Sequence, residues 1–251
     1  MPDPPHPKAW FESAFEESYL EVYPHRNLVA ARAEVAGLLE RGLAGRVLDL
    51  GCGFGRHSLA MWERGLSVSG MDLSEDLLRR APALEGGSHL RGRLVRGDFR
   101  RLPFQARSFD ALTMLFSSFG YFDDEENLAV LHEVVRVLRT GGTAIIDLMN
   151  PLRVRATLVP ESLTERDGLE IRERRHLKEG GARVVKRVQL RTEKGEEFDW
   201  HEDVRMYAPE EFGELLLRAG LCAFRTEGDF DGRPFSPDSP RQIVWARAGV
   251  D

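Results

Sequence analysis

The sequence predicts an α/β protein with a doubly wound, mostly parallel sheet. Short apolar runs alternate with helical patterns between about residues 45 and 150, and the turns that join them are short. Strands that alternate with helices in this way pair in parallel, and the connecting helices cover both faces of the sheet. Ligands of such sheets bind outside the carboxyl ends of the strands. The loops that follow the strands are therefore where we expect a functional site.

The N-terminal region, residues 1–44, is predicted to form a helical cap. The stretch from Trp10 to Tyr23 carries apolar and aromatic residues at helical spacing, and Pro24 ends the pattern. A second helix is expected from about Asn27, a potential N-cap, to Leu43.

Residues 45–150 and 208–251 are predicted to form the core of the fold. Apolar runs bounded by Gly, Asp or Pro indicate five strands in the first part, followed by a helix and two strands in the second. The expected strands are 47–50, 66–71, 93–96, 109–116, 143–148, 221–225 and 242–246, and the late helix runs from Pro209 to Gly220.

Residues 151–207 are predicted to form an insertion of a different kind. The chain from Leu169 to Tyr207 is charged and alternating, with glycine turns near 180 and 195. This pattern is typical of antiparallel strands, and we expect three of them at about 169–177, 182–192 and 197–207.

Composition excludes several classes of protein. The 251 residues suffice for one large α/β domain with an insertion, and the net charge of −6 argues mildly against nucleic acid as a partner. The two cysteines, Cys52 and Cys222, provide neither a disulfide framework nor a metal-ligand spacing, so no metal site is expected. Without an apolar run of about 18 residues or a signal-peptide pattern, we expect no membrane span and a cytoplasmic location.

The turn after the first strand is the most informative stretch. Val47 to Leu50 is apolar, three glycines alternate at Gly51, Gly53 and Gly55, and a helical pattern follows at once. Glycines let the backbone turn sharply and approach a ligand, and the N-terminus of the next helix offers free N–H groups. Asp49 precedes the first glycine by two residues. A carboxylate there repels a pyrophosphate but attracts a cation.

This D-x-G-x-G-x-G pattern resembles motif I of the class I S-adenosylmethionine (SAM) methyltransferases, whose cofactor carries an ammonium and a sulfonium. The string Leu138-Arg139-Thr140-Gly141-Gly142, followed by an apolar strand, a late helix and a strand pair, is similar to the same family. The resemblance covers residues 45–150 well and 209–248 in topology. It implies a Rossmann-like, seven-stranded sheet with an antiparallel last strand. It also implies SAM as cofactor, S-adenosylhomocysteine as product, and a substrate lid at 151–207.

The resemblance assigns the adenosine end of the cofactor to two acids. Asp72 ends the second strand 21 residues after Gly51, where an acid accepts hydrogen bonds from the ribose hydroxyls. Asp98-Phe99 matches the family's adenine-binding element, and Phe99 or Leu73 would cover the adenine face. An ordinary acid at a helix start or in a loop is the competing interpretation for each carboxylate.

The methionine end of the cofactor is assigned in the same way. Asp49 would orient the glycine turn or bind the ammonium, and a backbone carbonyl at Leu115-Phe116 would meet that ammonium. Arg26 would pair with the methionine carboxylate, although a solvated arginine is equally compatible with the sequence. The full set of expected cofactor-binding residues is Tyr19, Arg26, Asp49, Gly51, Cys52, Gly53, Asp72, Leu73, Asp98, Phe99, Leu115 and Phe116.

Two residues are candidates for the transfer step. The string Phe116-Ser117-Ser118-x-Gly120-Tyr121 is similar to small-molecule N-methyltransferases, including those acting on amino sugars, and would place Tyr121 at the transfer site. His201, flanked by two aspartates on a polar strand face, is a candidate general base. Glu202, on the apolar face, is the competing candidate, and an exposed strand histidine is the structural alternative.

We therefore predict a SAM-dependent methyltransferase that acts on an N or O nucleophile of a small molecule. An RNA or protein methyltransferase is an alternative, favoured by the basic insertion and opposed by the acidic total charge and the missing amino-base motif. A non-catalytic SAM-binding module and an NAD-dependent oxidoreductase are further alternatives. The acceptor and the oligomeric state are not indicated by the sequence.

Overall fold

The protein is described as a computed structural model, and the structure describes residues 9–16 and 18–249. The first eight residues of the expected helical cap, and Glu17 within it, lie outside the described residues. The chain begins with two short helices and one longer one: α1 (Trp10–Ser13), α2 (Tyr19–Val22) and α3 (Leu28–Glu40).

The prediction of a single helix from Trp10 to Tyr23 is wrong, because the structure has two short helices in that stretch. The carbonyl of Phe15 accepts a hydrogen bond from Ser74 Oγ at 2.5 Å, and the N–H of Tyr19 donates to the carbonyl of Glu16. These bonds replace the helical ladder at this point. A tertiary contact thus overrides a pattern that is helical in isolation.

The first half of the core follows the predicted alternation. Its elements, in order, are β1 (Arg46–Leu50), α4 (Arg56–Glu63), β2 (Ser67–Asp72), α5 (Glu75–Arg80), β3 (Leu94–Arg96), β4 (Phe109–Met114), α6 (Asp124–Val137) and β5 (Leu138–Met149). The insertion and the second half add α7 (Pro151–Thr157), β6 (Glu161–Arg166), β7 (Leu169–Lys178), β8 (Arg183–Arg191), β9 (Glu197–Arg205), α8 (Pro209–Ala219), β10 (Leu221–Glu227) and β11 (Arg241–Ala248).

Seven strands form the main sheet in the order β10-β11-β5-β4-β1-β2-β3. Strand β11 runs antiparallel to both of its neighbours, and the pairs among β1 to β5 are parallel. The predicted Rossmann-like sheet with an antiparallel last strand is therefore confirmed. The strand order reverses between β1 and β4, which makes their carboxyl ends the topological switch point.

The insertion forms a separate antiparallel sheet of four strands, in the order β6-β7-β8-β9. The prediction of three strands is wrong by one, because β6 also pairs with β7 along its length. Strand β6 is an edge strand whose residues are mostly exposed. Its stability comes from backbone pairing rather than from burial, so it carries no alternation of apolar and polar residues that the sequence could reveal.

Three apolar clusters hold these layers together. One lies between the main sheet and helices α6 and α8, and a second lies between the sheet and helices α3 and α4. A third joins the N-terminal helices to the inner face of the four-stranded sheet through Tyr19, Tyr23, Val188, Leu190 and Trp200. The third cluster sets the four-stranded sheet over the carboxyl ends of the core strands.

Gly120 joins the core to this second sheet. Its carbonyl accepts a hydrogen bond from the N–H of Arg205 at 2.7 Å, and its φ is 98°. A Cβ atom at this position would lie 2.4 Å from the carbonyl oxygen of Arg205. The junction therefore requires glycine for both its conformation and its close backbone contact.

We expect Gly120→Ala to lower the free energy of unfolding by about 1–3 kcal/mol, because alanine is strained in the left-handed conformation. The clash of its Cβ atom with the backbone of Arg205 should lower the free energy of unfolding further. Gly141→Ala is the matched control, because Gly141 also has a positive φ of 73° but no atom within 4 Å of an added Cβ. Urea unfolding of both variants measures the difference. Equal losses would show that the contact with Arg205 does not constrain the junction.

Candidate active site

A cleft opens at the switch point, above the carboxyl ends of β1 and β4. It contains about 820 Å³ of empty space, including its open mouth. The loops after β1, β2, β3 and β4 and the N-terminal segment line it. The residues predicted at the ends of these strands are thus brought together.

The glycine turn forms the floor of this cleft. Gly51, Gly53 and Gly55 all have positive φ values, of 79°, 56° and 80°. The N–H groups of Gly51 and Cys52 donate to the carbonyl of Met71 at 2.8 and 3.1 Å, which ties the turn to β2. The absence of side chains at the glycines keeps the backbone accessible from the cleft.

Asp49 lies beneath the turn and is 1% exposed. Its Oδ2 accepts a hydrogen bond from Ser58 Oγ at 2.6 Å, and its Oδ1 accepts one from Thr113 Oγ1 at 3.0 Å. The carboxylate therefore links β1, α4 and β4. Of the two roles predicted for Asp49, this geometry favours orientation of the turn.

Asp72 faces the cleft from the end of β2. Its Oδ2 accepts the N–H of Gly53 at 2.7 Å, and its Oδ1 accepts the N–H of Ser74 at 2.8 Å. Each oxygen has capacity for one more donor. Burial raises the pKa of Asp72 above its usual value, against the effect of these backbone hydrogen bonds.

Asp98, with Phe99 and Leu73, lines the adjoining part of the cleft. Arg100 holds the Asp98 carboxylate through both oxygens, with Nη2 at 2.6 Å from Oδ2 and Nε at 3.1 Å from Oδ1. Burial acts to raise the pKa of Asp98, but the hydrogen bonds from Arg100 outweigh it and hold the pKa below its usual value. The site combines an ionised acceptor with the aromatic ring of Phe99.

Arg26 reaches the cleft from the segment after α2. Its guanidinium packs 4.4 Å from the ring centroid of Tyr23, and its Nη1 donates to Tyr19 Oη. Its Nε is buried without a hydrogen-bond partner, and Arg26 forms no ion pair with any described residue. A buried cation with an unpaired donor creates a site for an anion, because leaving it unpaired is costly.

Two further arginines border the same region, and each has a carboxylate partner. Arg56 pairs with Glu34 at 3.3 Å, and Arg241 pairs with Asp147 at 2.7 Å. Burial lowers the pKa of Arg56 to about 10, which leaves it charged at neutral pH. Arg26 differs from these two arginines because it has no carboxylate partner in an ion pair among the described residues.

The turn after β4 is strained. Phe116 and Ser117 have φ values of 57° and 59°, in the left-handed region that non-glycine residues rarely adopt. Asp147 holds the turn, since its Oδ2 accepts the N–H of Phe116 at 2.6 Å and its carbonyl accepts the N–H of Ser117 at 3.1 Å. Strain of this kind is concentrated at functional sites. Leu115 and Phe116 line the cleft at this point.

A second cleft continues from the first, beneath the four-stranded sheet. The two clefts share five lining residues, which are Phe15, Tyr19, Arg26, Phe116 and Tyr121. The ring of Tyr121 stacks on Phe15 with centroids 5.6 Å apart and lies 4.8 Å from the ring of Trp10. Tyr121 therefore stands where the two clefts meet. Burial raises its pKa well above the usual value, so its hydroxyl stays protonated and can donate a hydrogen bond.

Glu202 faces the second cleft, and His201 does not. Glu202 Oε1 accepts the hydroxyl of Tyr23 at 2.9 Å, and its Oε2 pairs with Lys186 at 3.0 Å. His201 is exposed and lines neither cleft. Successive side chains of a strand point to opposite faces, so the two neighbours cannot serve the same site. The general-base role of His201 stays a prediction from the sequence, and of the two candidates it is Glu202 that lines the second cleft.

The sequence reasoning missed Phe15, Tyr23 and Lys186. Lys186 had a usable signal, because it interrupts an apolar face of β8 formed by Val184, Val188 and Leu190. A charged residue in such a face requires a buried partner, and here the partner is Glu202. Phe15 and Tyr23 had no signal beyond aromatic enrichment, since their contacts depend on how α1 and α2 fold over the core.

Comparisons with known proteins find similarity to methyltransferases. Residues 47–142 match a protein-family model described as "Methyltransferase domain". A curated relative, the cypemycin N-terminal methyltransferase of Streptomyces sp, is 35% identical over 147 residues, which span 55% of this chain and 58% of the relative. The chain thus matches little more than half of that relative's length.

Two solved structures resemble the whole fold. The CcbJ methyltransferase from Streptomyces caelestis superposes with a TM-score of 0.79 at 20% sequence identity. The superposition covers 95% of this chain and 99% of the CcbJ chain. An amino pentose methyltransferase from Micromonospora echinaspora, solved with SAM bound, superposes with a TM-score of 0.65 at 23% sequence identity. The superposition covers 97% of this chain and 99% of that methyltransferase.

The fold is Rossmann-like, and residues 47–142 within it match a methyltransferase domain. The predicted resemblance to methyltransferases is confirmed for this segment. Among the described residues, no group of three or more His, Cys, Asp or Glu side chains is arranged to hold a metal ion. None of the helices in the same ranges has the length and apolar character needed to cross a bilayer.

We expect Asp72→Asn to weaken S-adenosylhomocysteine binding by about tenfold to a hundredfold, since one strong acceptor for a backbone N–H and for the ribose is lost. Titration calorimetry measures the dissociation constant. Asp76→Asn is the control, because Asp76 is exposed in the first turn of α5. Unaltered affinity of Asp72→Asn would remove Asp72 from the cofactor site.

Proposed function

We propose that the protein is a SAM-dependent methyltransferase that transfers a methyl group to a nitrogen or oxygen nucleophile of a small molecule. The observation that carries this proposal is the junction of two clefts at Tyr121. A binding module needs only the first cleft, whereas a transferase needs a second one that meets it where the methyl group is transferred.

The adenosine end of the cofactor would occupy the cleft between the loops after β2 and β3. Asp72 would accept the ribose hydroxyls, and Asp98 would accept the adenine amino group. Leu73 and Phe99 would cover the adenine ring, and Gly51, Cys52 and Gly53 would lie beneath the sugar. The unused acceptor capacity of Asp72 and the ionised state of Asp98 support this assignment.

The methionine end would lie between the strained turn after β4 and the N-terminal segment. Arg26, assisted by Tyr19, would bind the carboxylate, and the unpaired buried Nε of Arg26 supports this role. The backbone at Leu115-Phe116 would receive the ammonium through a carbonyl. Asp49 would act from below by holding the glycine turn in place.

The acceptor would occupy the second cleft, beneath residues 151–207, which we propose as the substrate lid over a core of residues 45–150 and 208–251. When bound, the cofactor supplies an electrophilic methyl group on a positively charged sulfur. The chain contributes alignment and exclusion of water, which are the main sources of rate enhancement in such a displacement. Tyr121 would donate a hydrogen bond at the junction.

Glu202 would orient the nucleophile and stabilise positive charge on it. Burial acts to raise the pKa of Glu202, but Lys186 and the Tyr23 hydroxyl hold it below the usual value, so the carboxylate stays ionised at neutral pH. An amine nitrogen that gains a methyl group also gains positive charge, and a neighbouring carboxylate favours that charge distribution. Because its pKa is low, the Glu202 carboxylate binds a proton weakly, so it would stabilise positive charge on the nucleophile rather than act as a general base.

A peptide amine is a second candidate acceptor. The relative that is 35% identical over its matched segment is named as an N-terminal methyltransferase. The α-amine of a short peptide presents the same nucleophile as a small amine, so it belongs in the same test. The cytoplasmic location remains a prediction from the sequence.

Calorimetric competition between SAM and NAD tests the cofactor, and labelled SAM tests transfer to a panel of small amines, alcohols, short peptides and RNA. We expect SAM binding and transfer to members of the amine group. NAD binding without SAM binding would overturn the proposal. Tight SAM binding with no transfer to any member would indicate the non-catalytic module instead.

We expect Glu202→Gln to lower kcat by about tenfold to a hundredfold, because removing one electrostatic stabiliser costs about 1.4–2.8 kcal/mol of barrier. The affinity for S-adenosylhomocysteine should stay within about twofold, since Glu202 faces the acceptor cleft. His201→Gln is the neighbouring control and should leave both quantities unchanged. The reverse pattern would restore His201 as the functional residue of β9.

We expect Arg26→Met to weaken binding of S-adenosylhomocysteine by at least about tenfold, because a charge-assisted pair with the carboxylate is lost. Binding of methylthioadenosine, which lacks the amino-acid portion, should change by less than about twofold. Arg32→Met, at an exposed ion pair with Glu63, is the control. An equal loss for both ligands would show that Arg26 acts on the fold of the cleft rather than on the carboxylate.

A further inference from the structure

The acceptor cleft does not end at Glu202. It continues into a chamber between α7 and the inner face of the four-stranded sheet, with about 990 Å³ of empty space including its mouth. The chamber and the acceptor cleft share Met149, Lys186, Glu202 and Val204 as lining residues. A molecule with its nucleophile at Glu202 could therefore extend into the chamber without leaving the protein.

The walls of the chamber are largely apolar. Six side chains form this surface: Met149, Val154, Leu158, Val159, Val184 and Val204. Val159, two residues after the end of α7, is 56% exposed, which leaves an apolar side chain in contact with water. An apolar occupant would remove such surface from water and gain free energy in proportion to the area covered.

The charged groups of the chamber are already satisfied. Arg175 donates to Glu173 at 2.5 Å and to Ser162 Oγ at 3.0 Å, and Lys186 pairs with Glu202 at 3.0 Å. This arrangement contrasts with Arg26, whose Nε has no partner among the described residues. Among the residues that the structure describes, the chamber thus offers no unpaired cation for an anionic group, and its free surface is the apolar wall.

Hydrogen bonds keep the chamber open. The side-chain amide of Asn150 donates to the carbonyls of Ser236, Pro237 and Ser239 at 3.1, 3.0 and 2.9 Å, which anchors the start of α7. Arg155 Nε donates to the carbonyl of Gly181 at 3.0 Å and ties α7 to the second sheet. Since both attachments hold α7 at its distance from β8 and β9, the apolar walls cannot collapse onto each other.

We propose that the methyl acceptor is amphiphilic, with an alkyl or aromatic portion that binds in this chamber while its nucleophile lies at Glu202 and Tyr121. The proposal rests on the proposed function for the methylation itself, but the apolar subsite is a property of the chain that binding alone can test. The apolar subsite would select acceptors by the length of their apolar portion. Glu202 and Tyr121, where the two clefts meet, would select them by the chemistry of the nucleophile.

The test uses primary n-alkylamines from ethylamine to octylamine, titrated into the full chain saturated with S-adenosylhomocysteine. We expect the dissociation constant to fall by about twofold to fourfold for each methylene that enters the chamber, and then to level off once it is filled. Val184→Phe narrows the chamber and should abolish the gain for the longer amines while ethylamine binds as before. Val29→Phe, at a 75% exposed position on α3, is the matched control.

Chain-length independence in the unsubstituted protein would overturn the subsite, and so would an unchanged chain-length dependence in Val184→Phe. Methyl transfer to the same amines is measured separately. Binding that strengthens with chain length without any transfer supports the subsite and counts against the proposed function. Transfer with a kcat/KM that does not change with chain length supports the function and overturns the subsite.

Discussion

The buried carboxylate of Asp49 is the interaction on which the architecture of the site depends. Through Ser58 and Thr113 it connects the central strand β1 to α4 and β4, directly below the glycine turn. A buried charge is tolerated only when hydrogen bonds replace the water it has lost. Because these bonds come from two different elements, the requirement to satisfy one carboxylate fixes the relative positions of the three segments that form the floor of the cleft.

The remaining walls are supplied by segments that are distant in sequence. The N-terminal helices pack against β8 and β9 through Tyr19, Tyr23 and Trp200. This packing brings Arg26, Tyr121 and Glu202 to the second cleft. The first and the second cleft are therefore not independent. Each includes residues of the same N-terminal segment, so ordering that segment completes both at once.

Much of the core could be predicted because its signals are local. A buried parallel strand requires a continuous apolar run, and a turn with three positive φ values requires glycine, so β1 and its turn are visible in the sequence. The acids at Asp49, Asp72 and Asp98 occupy the strand ends where the resemblance placed them. The break between α1 and α2 and the edge strand β6 were not predictable, because a hydrogen bond from Ser74 and the ladder with β7 determine them.

The sequence by itself determined the alternation of elements, the glycine turn with its acids, and the placement of Glu202 on the apolar face of a strand. Only the tertiary structure decided what those features face. The docking of α1 and α2 onto the four-stranded sheet made the inner face of β9 the wall of a cleft and left His201 in solvent. The anchoring of α7 through Asn150 opened the chamber beyond it. Local periodicity assigns a side chain to a face, but only packing between distant segments determines whether that face meets core, ligand or water.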